Sequence, residues 1–489
     1  MKLKSGKYIL VLAGLTLIFS CSGPGRNYLS QDEEPSIFPD YSYVTVPVNI
    51  SPLNFRLSGS EKINVIFAGK SENLEINGKD RIAIPLKKWR SLLKSSANDS
   101  LSVTVTARKD KKWTRYRPFN IYVRNEPVDP WIAYRLIAPG YESWSQMGIY
   151  QRDLTSFRSE PVITNRLLPG ACMNCHSFRS NSPDDMMFHL RGNVGATMLV
   201  HDGKIEKLNT KVNETISNAV YPYWHPSGDY IAFSVNSIYQ VFHSVSNKRI
   251  EVFDSKSDLV VYDIKNNKLI TSSLISSENS FETFPAFSPD GKTLVFCSAK
   301  KDVQPDNYDK VKYSLCRVSF DASTGTFGTS VDTLISSWRS GKSVSFPRIS
   351  PDGKFLVFTL SDYGNFSIWH READLYLLDM ATGAISNLSA VNSNETESYH
   401  SWSSDSRWLI FSSRRLDGLY TRLYIAYCDK DGRFSKPFLL PQKDPDYYDI
   451  SLRSFNIPEF ITGKVREDGR SMLKAIGSLP KVVTFERKD

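Results

Sequence analysis

Cysteine and histidine are scarce in this chain, at six and seven among 489 residues. A run that clusters them therefore stands out from the composition. No second Cys-x-x-Cys pair is present to complete a zinc tetrahedron with the first. No Gly-x-Ser-x-Gly elbow occurs, which places a serine hydrolase last among the readings. After residue 20 no apolar run is long enough to span a bilayer. Lys and Arg never form a block beyond short runs such as RKDKKWTRYR at 108–117, so the net charge of +9 is spread along the chain. It is read first as solvated strand faces and second as a polyanion patch, and no nucleic-acid partner is expected.

What the chain does have is aromatic residues, at 12%, and long stretches rich in Ser, Thr, Val and Ile. That composition favours strands. Four segments repeat: YPYWHPSGDYIAFS from Tyr221, FPAFSPDGKTLVFC from Phe284, FPRISPDGKFLVFT from Phe346 and YHSWSSDSRWLIFS from Tyr399. Each reads as strand, tight turn, strand. Pro presets φ in the turn and Asp-Gly supplies the reversal. Each is followed by two more strands, as in DLVVYDIKNNKLI (258–270) and DLYLLDMATGAISNL (374–388). Four strands per repeat make the blade of a β-propeller.

Two further blades are expected. NCHSFRSNSPDDMMFHLRG (174–192) imitates the hairpin, and ATMLVHDGKIEKLN (196–209) supplies its outer strands. MGIYQRDLTSFRSEPVIT (147–164) lacks an inner strand, which Ile457-Pro458-Glu459-Phe460 can provide by analogy with Phe284–Phe287. A blade shared between distant parts of the chain closes the ring and leaves no open edge. The expected fold is all-β: a six-bladed propeller over 146–465, preceded by a small β-sandwich over 41–130 and a connection over 131–145. IPLKKWRSLL is read as a short helix within the sandwich. Residues 466–489 are read as a C-terminal tail.

At the N-terminus, Lys2, Lys4 and Lys7 precede the apolar run YILVLAGLTLIFS (8–20), which reads as a signal-peptide core. It ends at Ser20-Cys21, which resembles a bacterial lipobox. That resemblance implies a signal peptide over 1–20, lipidation of Cys21 and a Gly/Pro/acidic tether over 21–40. The expected location is the bacterial cell envelope, lipid-anchored, facing the periplasm or at the outer membrane.

Cys172-Met173-Asn174-Cys175-His176 carries the most direct chemistry. The spacing matches a c-type haem attachment run: two thiols add across two vinyl groups, and the adjacent imidazole binds iron. Cys172, Cys175 and His176 are the candidate haem ligands, with one covalent haem c as the expected cofactor. His189 is the first choice for the sixth iron ligand, ahead of Met186, Met187 and Met198. A structural or redox-active Cys pair is the competing reading. His201, His225, His243, His370 and His400 are read as turn or core-edge residues. Cys297 and Cys316 are either joined as a disulfide or buried as free thiols.

The Ser-Pro-Asp-Gly hairpins resemble those of TolB-type propellers over roughly 146–465. With the lipobox and the Cys-x-x-Cys-His run, the chain resembles predicted bacterial lipoproteins described as TolB-like or as cytochrome c biosynthesis proteins. The resemblance implies a haem-carrying electron-transfer or redox-sensing protein with a redox or envelope partner. The alternative is a propeller scaffold without haem that binds protein or glycan.

Overall fold

A computed structural model describes residues 27–138, 146–243 and 250–489. The apolar run at 8–20 and Cys21 lie outside them, as do residues 139–145 of the expected connection. Among the described residues no helix is long and apolar enough to cross a membrane.

The repeated turn chemistry produces what it predicts. Ser288 Oγ donates to Asp290 Oδ1 at 2.5 Å, and the Thr293 N–H bonds back to Ser288 Oγ at 3.0 Å. Ser350, Asp352 and Phe355 repeat those bonds in the next unit. Each turn thus locks two strands antiparallel, and the chain forms six four-stranded blades, some with an added outer strand. In chain order their innermost strands are Cys172–Phe178, Val220–Trp224, Ser280–Phe287, Ser343–Ile349, Glu397–Trp402 and Ser454–Ile461. We number the blades one to six on that basis.

Blade six closes the ring as expected, with Ser454–Ile461 as its inner strand. Its second strand is Trp131–Ile137, paired Ser454↔Ile137 through Ile461↔Trp131. The segment 131–145, expected as a connection, therefore begins with a blade strand. Its Trp-Ile-Ala-Tyr-Arg-Leu-Ile alternation was hidden by flanking prolines. The expected tail at 466–489 is also structured. Asp468 caps a helix over Gly469–Ile476, accepting from the Ser471 N–H at 2.8 Å. Lys481–Val482 and Thr484–Arg487 then add parallel outer strands to blades one and two.

Ahead of the propeller stands a seven-stranded sheet in which the long strand Asp99–Lys109 forks. One edge of that strand pairs with Lys62–Ala68, and the other is shared by Lys112–Arg115 and Phe119–Arg124. The expected helix is present as α1, Leu86–Ser95, with Trp89, Leu92 and Leu93 buried. The sheet shares one continuous apolar core with blade five, including Trp402, Trp408 and Phe411.

Every inner strand carries the same irregularity. One residue has a left-handed backbone: Cys175, Tyr221, Phe284, Phe346, Tyr399 and Ile457, with φ between 47° and 54°. At each the register slips by one residue, a β-bulge. The aromatic members meet in sequence around the axis. Ring centroids are 4.8 Å apart for Tyr221–Phe284, 4.0 Å for Phe284–Phe346 and 4.8 Å for Phe346–Tyr399. These six positions plug the central channel.

On one side of the plug the hairpin turns surround an open cavity. On the other, blade two extends a long hairpin, with strands of 13 and 14 residues over Tyr230–Phe242 and Ile250–Asp263. Ile250 and Val252 of that hairpin pack with Phe366, and Asp254 accepts from Tyr313 and Asn365 at 3.0 and 2.6 Å.

Candidate functional site

The Cys-x-x-Cys-His run is the inner strand of blade one. Cys175 is its left-handed plug residue, and His176 follows at the position held by Pro222, Pro285, Pro347, His400 and Pro458 in the other blades. The turn-side cavity has a volume of about 340 Å³, and Cys175 and His176 both line it. Cys172 lies three residues back, with its Sγ 3.6 Å from Arg135 Nη2. All five described cysteines are free and buried. Burial raises the Cys175 thiol above the usual range, so it stays protonated at neutral pH.

His176 differs from the other buried or half-buried histidines. Both its ring nitrogens are buried without a hydrogen-bond partner. Glu459 Oε1 is 3.7 Å from Nε2, beyond bonding range, and the Ile457 carbonyl near the ring is not in bonding geometry. Burial, aided by the Arg135 guanidinium, pushes His176 down to about 3. The imidazole is thus neutral, with a free lone pair. By contrast His189 bonds Thr197 Oγ1 at 3.3 Å, His201 bonds Asp185 at 2.6 Å and His225 bonds the Gly291 carbonyl at 3.0 Å. His370 bonds Glu372 at 3.2 Å and His400 bonds the Val357 carbonyl at 2.9 Å.

A buried polar group without a partner calls for explanation. A neutral imidazole facing a cavity, on the same strand as two free thiols, is a donor set that fits a covalently attached haem. Of the three residues of the sequence expectation, Cys175 and His176 line the cavity and Cys172 does not.

His189 is not brought together with His176. In register, Asn174 faces His189 and Ser177 faces Met187, so three steps on one strand match two on the other. The bulge at Cys175 turns His176 to the opposite face from Asn174 and His189. His176 looks toward Glu459 of blade six. His189 looks toward blade two, where its partner Thr197 contacts the Ala219 carbonyl at 3.4 Å. Met186 and Met198 are wholly buried in the core between blades one and six, and Met187 in the core toward blade two. Among the described residues no three or more His, Cys, Asp or Glu side chains are grouped to hold a metal ion. Cys297 and Cys316 are unbonded and lie in different interblade cores.

Three cavity residues escaped the sequence reading. His400, expected at a turn or core edge, lines the cavity at the repeat position of His176, and its Nδ1 is buried without a partner. Glu459 stands between them on blade six; burial pushes its carboxyl up to about 8, and its Oε2 accepts from the Phe178 N–H at 3.2 Å. Arg348 enters from blade four. The signal for all three was the alignment itself: His400 aligns with His176, and Glu459 and Arg348 with Ser177.

Neither a protein-family model nor a curated protein matches the chain. Solved structures similar to it include an oligogalacturonate lyase in complex with manganese, at 13% identity over 63% of this chain and 72% of that one, TM-score 0.36. Prolyl oligopeptidase B from Galerina marginata aligns at 10% identity over 60% of this chain and 40% of that one, TM-score 0.34. A putative dipeptidyl aminopeptidase IV from Bacteroides ovatus aligns at 12% identity over 71% and 59%, TM-score 0.28. The chain thus spans less than two thirds of either peptidase, and similarity this distant leaves the functional reading to the site itself.

Proposed function

We propose that this chain is a lipid-anchored envelope protein whose propeller carries one c-type haem at the turn-side cavity, acting in electron transfer or redox sensing. The observation that carries the reading is His176, a buried, neutral imidazole with neither nitrogen paired, on one strand with two free thiols at the required spacing, of which Cys175 lines the cavity. His176 would hold the iron, and Cys172 and Cys175 would carry the thioether bonds. When bound, the haem supplies a one-electron couple. The protein's own residues do the rest. The plug residues Tyr221, Phe346 and Tyr399 form part of the cavity wall beside Cys175. Burial keeps His176 deprotonated across the physiological range, ready to donate its lone pair. Attachment outside the cytoplasm agrees with the leader-like run and with Cys21 as lipid acceptor.

The test is a pyridine haemochrome spectrum of chain exported alongside haem-attachment machinery, after acid–acetone extraction. A c-type α-band is expected from the wild type and none from the Cys172→Ser, Cys175→Ser double variant. No band from cells that mature a control cytochrome sinks the reading and leaves a binding propeller.

A further inference from the structure

The third position after each bulge separates structure from use. Position one is the plug, position two is proline or histidine, and position four is a buried ring or aliphatic side chain. Position three is Ser177, Tyr223, Ala286, Arg348, Ser401 and Glu459, and five of these six line the cavity. The repeat does not dictate this residue, so its identity is free to serve whatever occupies the cavity.

Arg348 is the unusual choice. Its Nη1 donates to its own Pro347 carbonyl at 2.8 Å. The guanidinium carbon stands 5.2 Å from the Tyr223 ring centroid, over its face. Its backbone is fixed as well, because Trp402 Nε1 donates to the Arg348 carbonyl at 3.1 Å. A guanidinium has five N–H donors, and one is accounted for by this set. Among the described residues no carboxylate is in ion-pair contact with it, although Glu459, the one carboxyl on the cavity wall, is close enough to feel its charge. A half-enclosed guanidinium, oriented by an aromatic face and with no carboxylate in contact, is prepared for a planar anion. The remaining wall mixes flat aromatic faces, Trp224, Phe287 and Trp402, with polar side chains such as Asn181, Ser288 and Ser404.

We propose that Arg348 is the carboxylate-binding residue of the turn-side cavity, and that the ligand is a molecule with a flat aromatic part carrying a carboxylate. Two sources share that chemistry: the propionate of an attached haem, which rests on the reading above, and a free aromatic carboxylate, which does not.

The experiment uses the full mature chain produced without haem attachment. Tryptophan quenching is measured with iron-free protoporphyrin IX and with its dimethyl ester. Calorimetry is run with 2-naphthoate and with its methyl ester. The free acid of at least one pair is expected to bind about tenfold to a hundredfold more tightly than its ester, the range of a charge-assisted pair. Arg348→Gln is expected to erase that preference, and Arg348→Lys to retain part of it. A preference for the porphyrin acid alone assigns the site to a haem propionate. A preference for naphthoate alone keeps the proposal and removes its link to haem. Equal binding of acid and ester by the wild type, or no binding of either acid, overturns the proposal without needing any variant to fold. An acid preference that survives intact in a folded Arg348→Gln protein overturns it too.

Discussion

Replacing Phe284 by alanine and by glycine should reverse the usual order of stability. Phe284 is 2% exposed, and its ring lies 4.0 Å from that of Phe346 and 4.8 Å from that of Tyr221. Losing such a ring costs about 3–5 kcal/mol in either variant. The two then differ only in backbone. At an ordinary strand position glycine is worse than alanine by about 0.5–1 kcal/mol. Here φ is 51°, where a Cβ costs about 1–2 kcal/mol that glycine does not incur. The balance favours glycine by about 0.5–1 kcal/mol. Urea unfolding read by tryptophan fluorescence gives the comparison, provided the slopes agree so that midpoints rank stability. A Phe284→Gly protein less stable than Phe284→Ala by the ordinary margin would refute the left-handed bulge at this position of blade three.

Two further outcomes follow from buried carboxyls. Glu282 is 3% exposed, its Oε2 has no partner, and burial pushes it up from 4.5 to about 7. Below pH 4.5 the group is neutral folded or unfolded and costs nothing. Between pH 4.5 and 7 only the unfolded chain ionises, so stability falls by about 3 kcal/mol across that window and no further above it. Glu282→Gln should therefore stabilise the protein at pH 8 and leave it unchanged at pH 4 in thermal melts; equal effects at both would contradict the assignment. Asp129 ties the region between the two domains to the blade-five turn, accepting from the Ser404 N–H and Oγ at 2.7 and 2.6 Å. Asp129→Ala should cost about 1–3 kcal/mol, and an unchanged melting temperature would show that this junction bears no stability.

The blades were legible because their turns repeat a chemistry with few substitutes. Ser, Pro, Asp and Gly at fixed offsets announce a hairpin wherever they stand, and even the isolated Ile457-Pro458-Glu459-Phe460 could be matched to its place. Trp131–Ile137 was not legible, because a second strand has no turn signal of its own and prolines on its N-terminal side read as a connection. The two strands and the helix after residue 466 were missed for a similar reason: they form by docking against finished blades. The pairing of His176 with His189 failed on a subtler point. Strict alternation puts Asn174 and His176 on one face, and nothing in the composition of Cys175 declares a left-handed residue. Only the alignment of Cys175 with Tyr221, Phe284, Phe346, Tyr399 and Ile457 would have shown that it shares their bulge.

The closing pair Ile137–Ser454 also sets a timetable for biosynthesis. The two partners are separated by almost the entire propeller, so their meeting carries the largest loop-closure entropy among the blade pairings. While the chain is being made, the N-terminal sheet and the early blades have their partners in hand, but Trp131–Ile137 waits with one edge unpaired until the last inner strand emerges. A chain cut short before residue 454 keeps that edge exposed, with the associated tendency to aggregate or be degraded. Glu459, on the same late strand, reaches its cavity position at that moment. Completion of the cavity and completion of the ring are therefore a single event, and an unfinished molecule never presents the site.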